Sequence, residues 1–392
     1  MPPVRIGTGL STLSDARAGG EEAAGAALDG LGGERCDVAV VFASGTHLAA
    51  PEATLEAVVD VLDPGELVGC GAGGVLGGRR EVEDGTAVAV WAAALGDGAA
   101  TAFHVEVVDA ERGEVAGMPD LEGASGAVLL ADPFSFPAEP LLRAVSENAP
   151  DVPVVGGLAS ARLHEGAAAL FLGGEVRFGG AVGLRFDGVA LEPCVSQGAA
   201  PIGPELTVTE AEGNVVVELA GRPAYRRLQE VVNALDEHEQ ALLQRSGGVL
   251  LGIVVDGNKP DYVQGDFLVR PVLGADPRTG AVAIGAVVRT GQVVRLHVRD
   301  AQSADEDLRA ALALRRTALG PAAPAGALVF ACNGRGRAMF GAADHDAVAV
   351  SDVLDGAPAA GFFAAGEIGP VGGECHLHGF TATVALFGGV SP

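Results

Sequence analysis

Val38-Ala-Val-Val-Phe-Ala43, followed by Pro51 to Leu62 and then by Leu67-Val68-Gly69, decides the fold of this chain. The first piece is apolar at six consecutive positions, the pattern of a strand buried on both faces. The second reads as a helix and the third opens another strand, so the three together predict a parallel strand–helix–strand crossover. A further strand follows from Thr86 to Leu95. The same order of strand, polar turn, helix, glycine-containing strand and final hairpin recurs twice. Its second copy runs through Ala127 to Ala131, Ala138 to Asn148, Val154-Val155-Gly156-Gly157, Ala167 to Leu172 and Ala181 to Phe186. The third comprises Ala327 to Ala331, Ala343 to Leu354, Gly361-Phe362-Phe363 and Phe380 to Leu386. The expected class is α/β, with two domains of mixed parallel and antiparallel sheets flanked by helices and divergent internal βαββ-type repeats.

Between the second and third copies the pattern changes. Tyr225 to Arg245 is helical, and strands are expected over Val249 to Val255, Phe267 to Leu273, Ala281 to Val288 and Val293 to Val298. Turn signals at Asp276-Pro-Arg-Thr-Gly280 and Thr290-Gly291 make this an antiparallel meander. A helix from Ser303 to Ala318 leads through Pro321 and Pro324 into the third copy. Gly221-Arg222-Pro223 interrupts the pattern, which places a domain boundary there and divides the chain into 1–220 and 221–392.

Composition narrows the function classes. Acidic residues outnumber basic ones 51 to 25, and the formal charge of −26 repels phosphate backbones and anionic membrane surfaces. Nucleic acid and membrane are therefore not expected partners. No basic flank precedes an apolar core near Met1, and no apolar stretch approaches the ~18 residues of a membrane span, so the expected compartment is the cytoplasm. Cys36, Cys70, Cys194, Cys332 and Cys375 are odd in number, scattered and without a C-x-x-C pair, which predicts reduced thiols.

Cys332-Asn-Gly-Arg-Gly336 after a strand, then Gly361-Phe-Phe-Ala-Ala-Gly-Glu-Ile-Gly-Pro-Val-Gly-Gly373 and His378-Gly-Phe-Thr381, closely resembles the C-terminal FIST domain. Gly221-Arg-Pro-Ala-Tyr225 and Asp266-Phe-Leu-Val-Arg270 are similar to its opening and extended segments. Phe42-Ala-Ser44 and Leu67-Val-Gly-Cys-Gly71 look like the N-terminal FIST domain, and the resemblance runs from about Gly30 to Gly388. It implies a sensory protein that binds a small ligand, an amino acid or derivative, without turnover. With both domains assigned, no output module remains, so the signal would pass in trans to a separate partner protein. The wider family also includes haem-binding members, which makes haem the alternative cofactor to none.

The candidate ligand contacts are Arg335, Arg337, Glu367, Asn333, Gly366, Ser44, Cys70, Gly71 and Arg270. Arg335 and Arg337 flank Gly336 beyond a strand end, where guanidinium groups and backbone amides converge on a carboxylate. Glu367 stands among glycines and suits a ligand amine, so Arg with Glu fits a zwitterion; the structural counterpart is an Arg335 ion pair with Glu367 or another acid. The spacing Gly69-Cys-Gly-Ala-Gly-Gly74 mimics a dinucleotide loop, but no helical pattern follows it. His378 and His376 are the alternative haem or metal ligands, although alternation along a strand turns Cys375 away from them. Ser44 and Cys332 follow apolar strands, and with His47, His164 and His345 as bases they keep a hydrolase as the third reading.

Overall fold

The computed structural model describes residues 3–109, 113–161, 168–246, 248–257, 259, 261, 262, 265–320 and 323–388, so His164, Ala167 and Pro321 lie outside the described residues. Contacts divide the chain into two compact units. One comprises 1–195, 308–377 and 381–392, and the other 196–307 with 378–380.

The larger unit begins with β1 (Arg5–Ser11) and α1 (Ala16–Leu31), a helix capped by the Asp15 side chain on the Ala18 amide. Neither element was read from the sequence, because α1 is mostly alanine, glycine and charge. The first repeat follows: β2 (Val38–Ser44), α2 (Pro51–Leu62), β3 (Glu66–Gly71), the hairpin β4 (Val75–Gly77) with β5 (Arg80–Val82), then β6 (Ala87–Ala94). After β7 (Ala99–Asp109) and β8 (Glu114–Ala116) comes the second: β9 (Gly126–Ala131), α3 (Ala138–Asn148), β10 (Val154–Leu158), the hairpin β11 (Ala169–Leu172) with β12 (Glu175–Phe178), and β13 (Ala181–Asp187). The strand β14 (Ala190–Gln197) ends this stretch.

The smaller unit holds β15 (Ala199–Glu212), β16 (Val215–Leu219), β17 (Arg222–Pro223), α4 (Ala224–Ala234), α5 (Glu237–Ser246), β18 (Leu250–Val254), β19 (Phe267–Ala275), β20 (Val282–Ile284) and β21 (Val293–Arg299). The expected single helix over Tyr225 to Arg245 is thus two. The expected meander is also corrected: β21 pairs with β18, not β20, and β15 pairs with both β21 and β16. Since β16 pairs with β20 and β20 with β19, six antiparallel strands close into a barrel, which removes the sheet's open edges.

The helix α6 (Ala301–Ala318) leads to the third repeat: β22 (Gly326–Cys332), α7 (Arg337–Phe340), α8 (His345–Val353), β23 (Ala359–Ala364), the hairpin β24 (Glu367–Val371) with β25 (Glu374–His378), and β26 (Thr381–Gly388).

The three repeats superimpose in register. Each has a parallel pair, β2–β3, β9–β10 and β22–β23, in which Val41, Leu129 and Val329 face Gly69, Gly156 and Gly361. Each first strand also has an antiparallel partner, β6, β13 or β26. The hairpins are exchanged in a cycle: that of the first repeat pairs with β23, that of the second with β3 and that of the third with β10. The same glycines receive them, since Gly361 faces Leu76, Gly69 faces Phe171 and Gly156 faces Ile368.

This register explains the unbroken apolar runs. Val40, Phe42, Val128, Leu130, Leu328 and Phe330 all enter one shared core, where Phe42 stacks on Phe362 at 5.0 Å between ring centres. The alternate residues Ala39 and Val41, Ala127 and Leu129, and Ala327 and Val329 face outward, into the separate clusters that hold residues of α1 and α2, of α3, and of α6 and α8. Both faces of every central strand are buried, so no polar alternation survives.

Candidate functional site

The ends of the parallel strands carry the candidate chemistry. By the shared register, Ser44, Asp132 and Cys332 occupy one position, three residues beyond Val41, Leu129 and Val329. The loops after the second strands meet each other. Ser160 donates its hydroxyl to the Phe363 carbonyl and accepts the Gly73 amide at 2.8 Å, while the Leu158 amide bonds the Gly366 carbonyl at 2.8 Å. The glycine-containing stretches around Gly71 and Gly366 therefore come together, linked by a serine that had no motif to mark it.

At the C-terminal ends of β2 and β3 lies a cavity of about 740 Å³, lined by Gly45, Leu48, Ala49, Pro51, Glu52, Ala72, Gly73, Gly85, Ala161 and Phe178. Pro51 and Glu52 start α2, and its N-cap Ala50 supplies no side-chain hydrogen bond. The segment after Gly74 is the β4–β5 hairpin, so the glycine loop opens no helix. Ser44 and Gly71 immediately precede the lining residues Gly45 and Ala72, and Ser44, Cys70 and Gly71 are all buried. The Ser44 hydroxyl donates to the Gly85 and Ala87 carbonyls at 3.0 and 3.2 Å and accepts the Ala87 amide at 3.1 Å. Cys70 is fully buried, and burial pushes its thiol pKa up. His47 bonds the Thr54 hydroxyl and the Leu13 carbonyl, and burial lowers its pKa.

A second cluster sits at the end of β22. Arg335 forms a bidentate pair with Asp346, Nε to Oδ2 at 2.6 Å and Nη2 to Oδ1 at 2.9 Å, and both side chains are buried. Arg335 also stands over the Phe340 ring at 5.1 Å, and that ring stacks on His345, whose Nδ1 lies 2.9 Å from Asp346. Burial alone would raise the Asp346 pKa, but the Arg335 charge and its hydrogen bonds hold it down to about 2. Glu367 is fully buried beneath Thr381, whose hydroxyl and amide donate to Oε2 at 2.7 and 3.1 Å; burial pushes its pKa up to about 8. Glu81 accepts the Ala347 amide at 2.9 Å, and burial with the nearby Asp346 charge raises it to about 7.

The structure therefore brings Arg335, Glu367 and Cys332 together and leaves Arg270, on β19, in the other unit. Asn333 and Arg337 are exposed, and the Arg337 amide donates to both Glu83 oxygens at 2.9 and 3.0 Å. His376 and His378 alternate with the buried Cys375, and among the described residues no three His, Cys, Asp or Glu side chains gather to hold a metal ion. Sequence reasoning missed Asp346, Glu81, Thr381 and Ser160; a charge at helix start and a glutamate in a hairpin look solvated until packing buries them.

The raised carboxyls set a pH dependence. In the folded state Glu81 and Glu367 keep protons that the unfolded chain releases near 4.5, so their stabilisation is complete below that value. It is lost as pH rises through about 7 and about 8. Asp346 acts in the opposite sense, and its contribution disappears as pH falls through about 2. Urea denaturation is expected to show stability falling between pH 5 and 8.5, with Glu81→Gln removing a component on the order of 3 kcal/mol. An unchanged slope in that variant contradicts the assignment.

The fold and these strand ends define a mixed α/β protein of exchanged strand–helix–strand repeats joined to a closed antiparallel barrel. Residues 37–222 match the FIST N domain and residues 224–370 the FIST C domain, so the chain belongs to the FIST family. Among its relatives, the uncharacterized protein Mb0898c of Mycobacterium bovis is 45% identical over 98% of this chain and 99% of its own length. The uncharacterized protein Rv0628c of Mycobacterium tuberculosis is 46% identical over 98% of this chain and 100% of its own.

Proposed function

We propose that this protein is a small-ligand sensor whose ligand occupies the cavity at the C-terminal ends of β2 and β3. The carrying observation is that cavity's position and size: about 740 Å³, at parallel strand ends beside a helix start without a side-chain cap. Its lining favours a zwitterion such as an amino acid or a derivative. Pro51 brings no N–H and the Ala53 amide bonds the Ala50 carbonyl, so the Glu52 amide is the donor suited to a carboxylate at the start of α2, and the Glu52 side chain supplies the counter-charge for an amine. Arg335 and Glu367 are displaced from this role, because one is already paired with Asp346 and the other is buried under Thr381. Binding without turnover is supported here by Ser44, whose hydroxyl is committed to backbone groups. The bound state would be read by a separate cytoplasmic partner protein.

A thermal-shift screen against the amino acids tests this. A ligand at about 100 times its Kd adds roughly 2.7 kcal/mol of stability. Ala161→Trp, which fills the cavity from a partly exposed position, is expected to abolish the shift while leaving the circular dichroism unchanged. Glu52→Gln is expected to weaken a zwitterion about tenfold and to spare the same acid without its amine. Failure of every amino acid to shift the melting point removes the zwitterion reading.

A further inference from the structure

The three equivalent strand ends differ in what surrounds them. Ser44 is bonded to backbone, and Asp132 accepts the Ser135 hydroxyl at 2.6 Å with the Phe134 and Ala168 amides at 3.3 and 3.2 Å. Cys332 alone combines a partly exposed thiol with buried charge. Its Sγ accepts the Gly334 amide at 3.4 Å, and its thiol hydrogen-bonds the Glu367 carboxyl. Thr381 holds Oε2 of that carboxyl, whereas Oε1 has no partner. Arg335 is close enough to act on both Cys332 and Glu367, and after two of its nitrogens bind Asp346 the buried Nη1 has no partner. A nucleophile, a base within reach, a group orienting that base and an unused cationic donor thus occur in one place.

We propose that Cys332, Glu367 and Arg335 form a thiol site oxidised by hydrogen peroxide. The two buried unpartnered atoms, the acceptor Glu367 Oε1 and the donor Arg335 Nη1, match the two oxygens of a small electrophile that both accepts and donates hydrogen bonds. In its ionised form the Glu367 carboxylate takes the thiol proton, and the sulfur attacks one peroxide oxygen. The S–O bond forms as the O–O bond breaks. Arg335 Nη1 stabilises the departing hydroxide, which takes the proton back from Glu367 and leaves as water. Sulfur is oxidised from thiol to sulfenic acid and one peroxide is reduced to water. Glu367 is held close to the thiol range, so the proton moves either way at little cost. Thr381 positions the carboxyl without touching the reacting atoms. The other thiols are buried, and burial pushes Cys36 up to about 12 and raises Cys70 and Cys375 as well, which leaves these three as protonated bystanders.

The test treats the full chain with hydrogen peroxide and dimedone and maps the sulfenic adduct by peptide mass spectrometry. The expected result is label on Cys332 alone, with loss of the thiol at least tenfold faster than for free cysteine. Glu367→Gln is expected to slow the reaction about tenfold or more and to change its pH profile, while Thr381→Val slows it less and keeps the profile. A native rate no higher than that of free cysteine overturns the proposal, and that comparison stands even where a variant does not fold. Fast alkylation by iodoacetamide without fast peroxide reaction overturns the peroxide assignment. The reaction is measured without any ligand for the β2–β3 cavity, so failure of the ligand screen and failure of this proposal are separate results.

Discussion

Gly361→Ala is expected to cost about 3 kcal/mol or more and to yield little soluble protein. A β-carbon on Gly361 would lie 1.8 Å from the Val329 carbonyl oxygen, well inside any contact distance. The obstacle is backbone, so no side-chain rotation relieves it. Relief requires separating β22 from β23, which also breaks the register that seats the exchanged hairpin at Leu76. The equivalent positions behave alike: Gly69 would meet the Val41 oxygen at 2.0 Å and Gly156 the Leu129 oxygen at 1.9 Å. Three alanine variants, measured by soluble yield and urea midpoint, are expected to fail together. A variant that folds with near-native stability would show that the close strand approach is not required.

Asp346→Ala should be nearly as severe, at about 3–5 kcal/mol, because it strands a buried guanidinium. Arg335 exposes none of its side chain and Asp346 only 1%. The pair itself is a different matter, since two charges withdrawn from water repay little beyond their own desolvation. The double variant Arg335→Met with Asp346→Leu is therefore expected to recover most of the loss seen in the single one. Equilibrium urea denaturation of the native protein, the Asp346→Ala variant and the double variant decides it. A single-variant cost under about 1 kcal/mol would mean that solvent reaches the guanidinium.

Much of the fold was legible because burial on both faces erases polar alternation. Val38–Ala43, Ala127–Ala131 and Ala327–Ala331 read as central strands and each following strand as glycine-containing, whereas the close backbone approach at those glycines appears only in the strand pairing. The thiol and the acid of the β22 cluster were visible as residues, Cys332 in a glycine-rich turn and Glu367 between glycines. Their relation was not, because it depends on Thr381 and Asp346, which are separated from them in sequence and joined only by strand pairing and the seating of α8.

The sequence by itself determined the repeated strand–helix–strand units and the family. Tertiary structure alone decided that the hairpins are exchanged in a cycle, that the expected meander closes as a six-stranded barrel, and that Arg335 belongs to Asp346. The physical reason is the range of the forces. Periodicity and turn chemistry act within a few residues, whereas strand exchange and buried charge pairing are settled by which surfaces meet once water has been excluded.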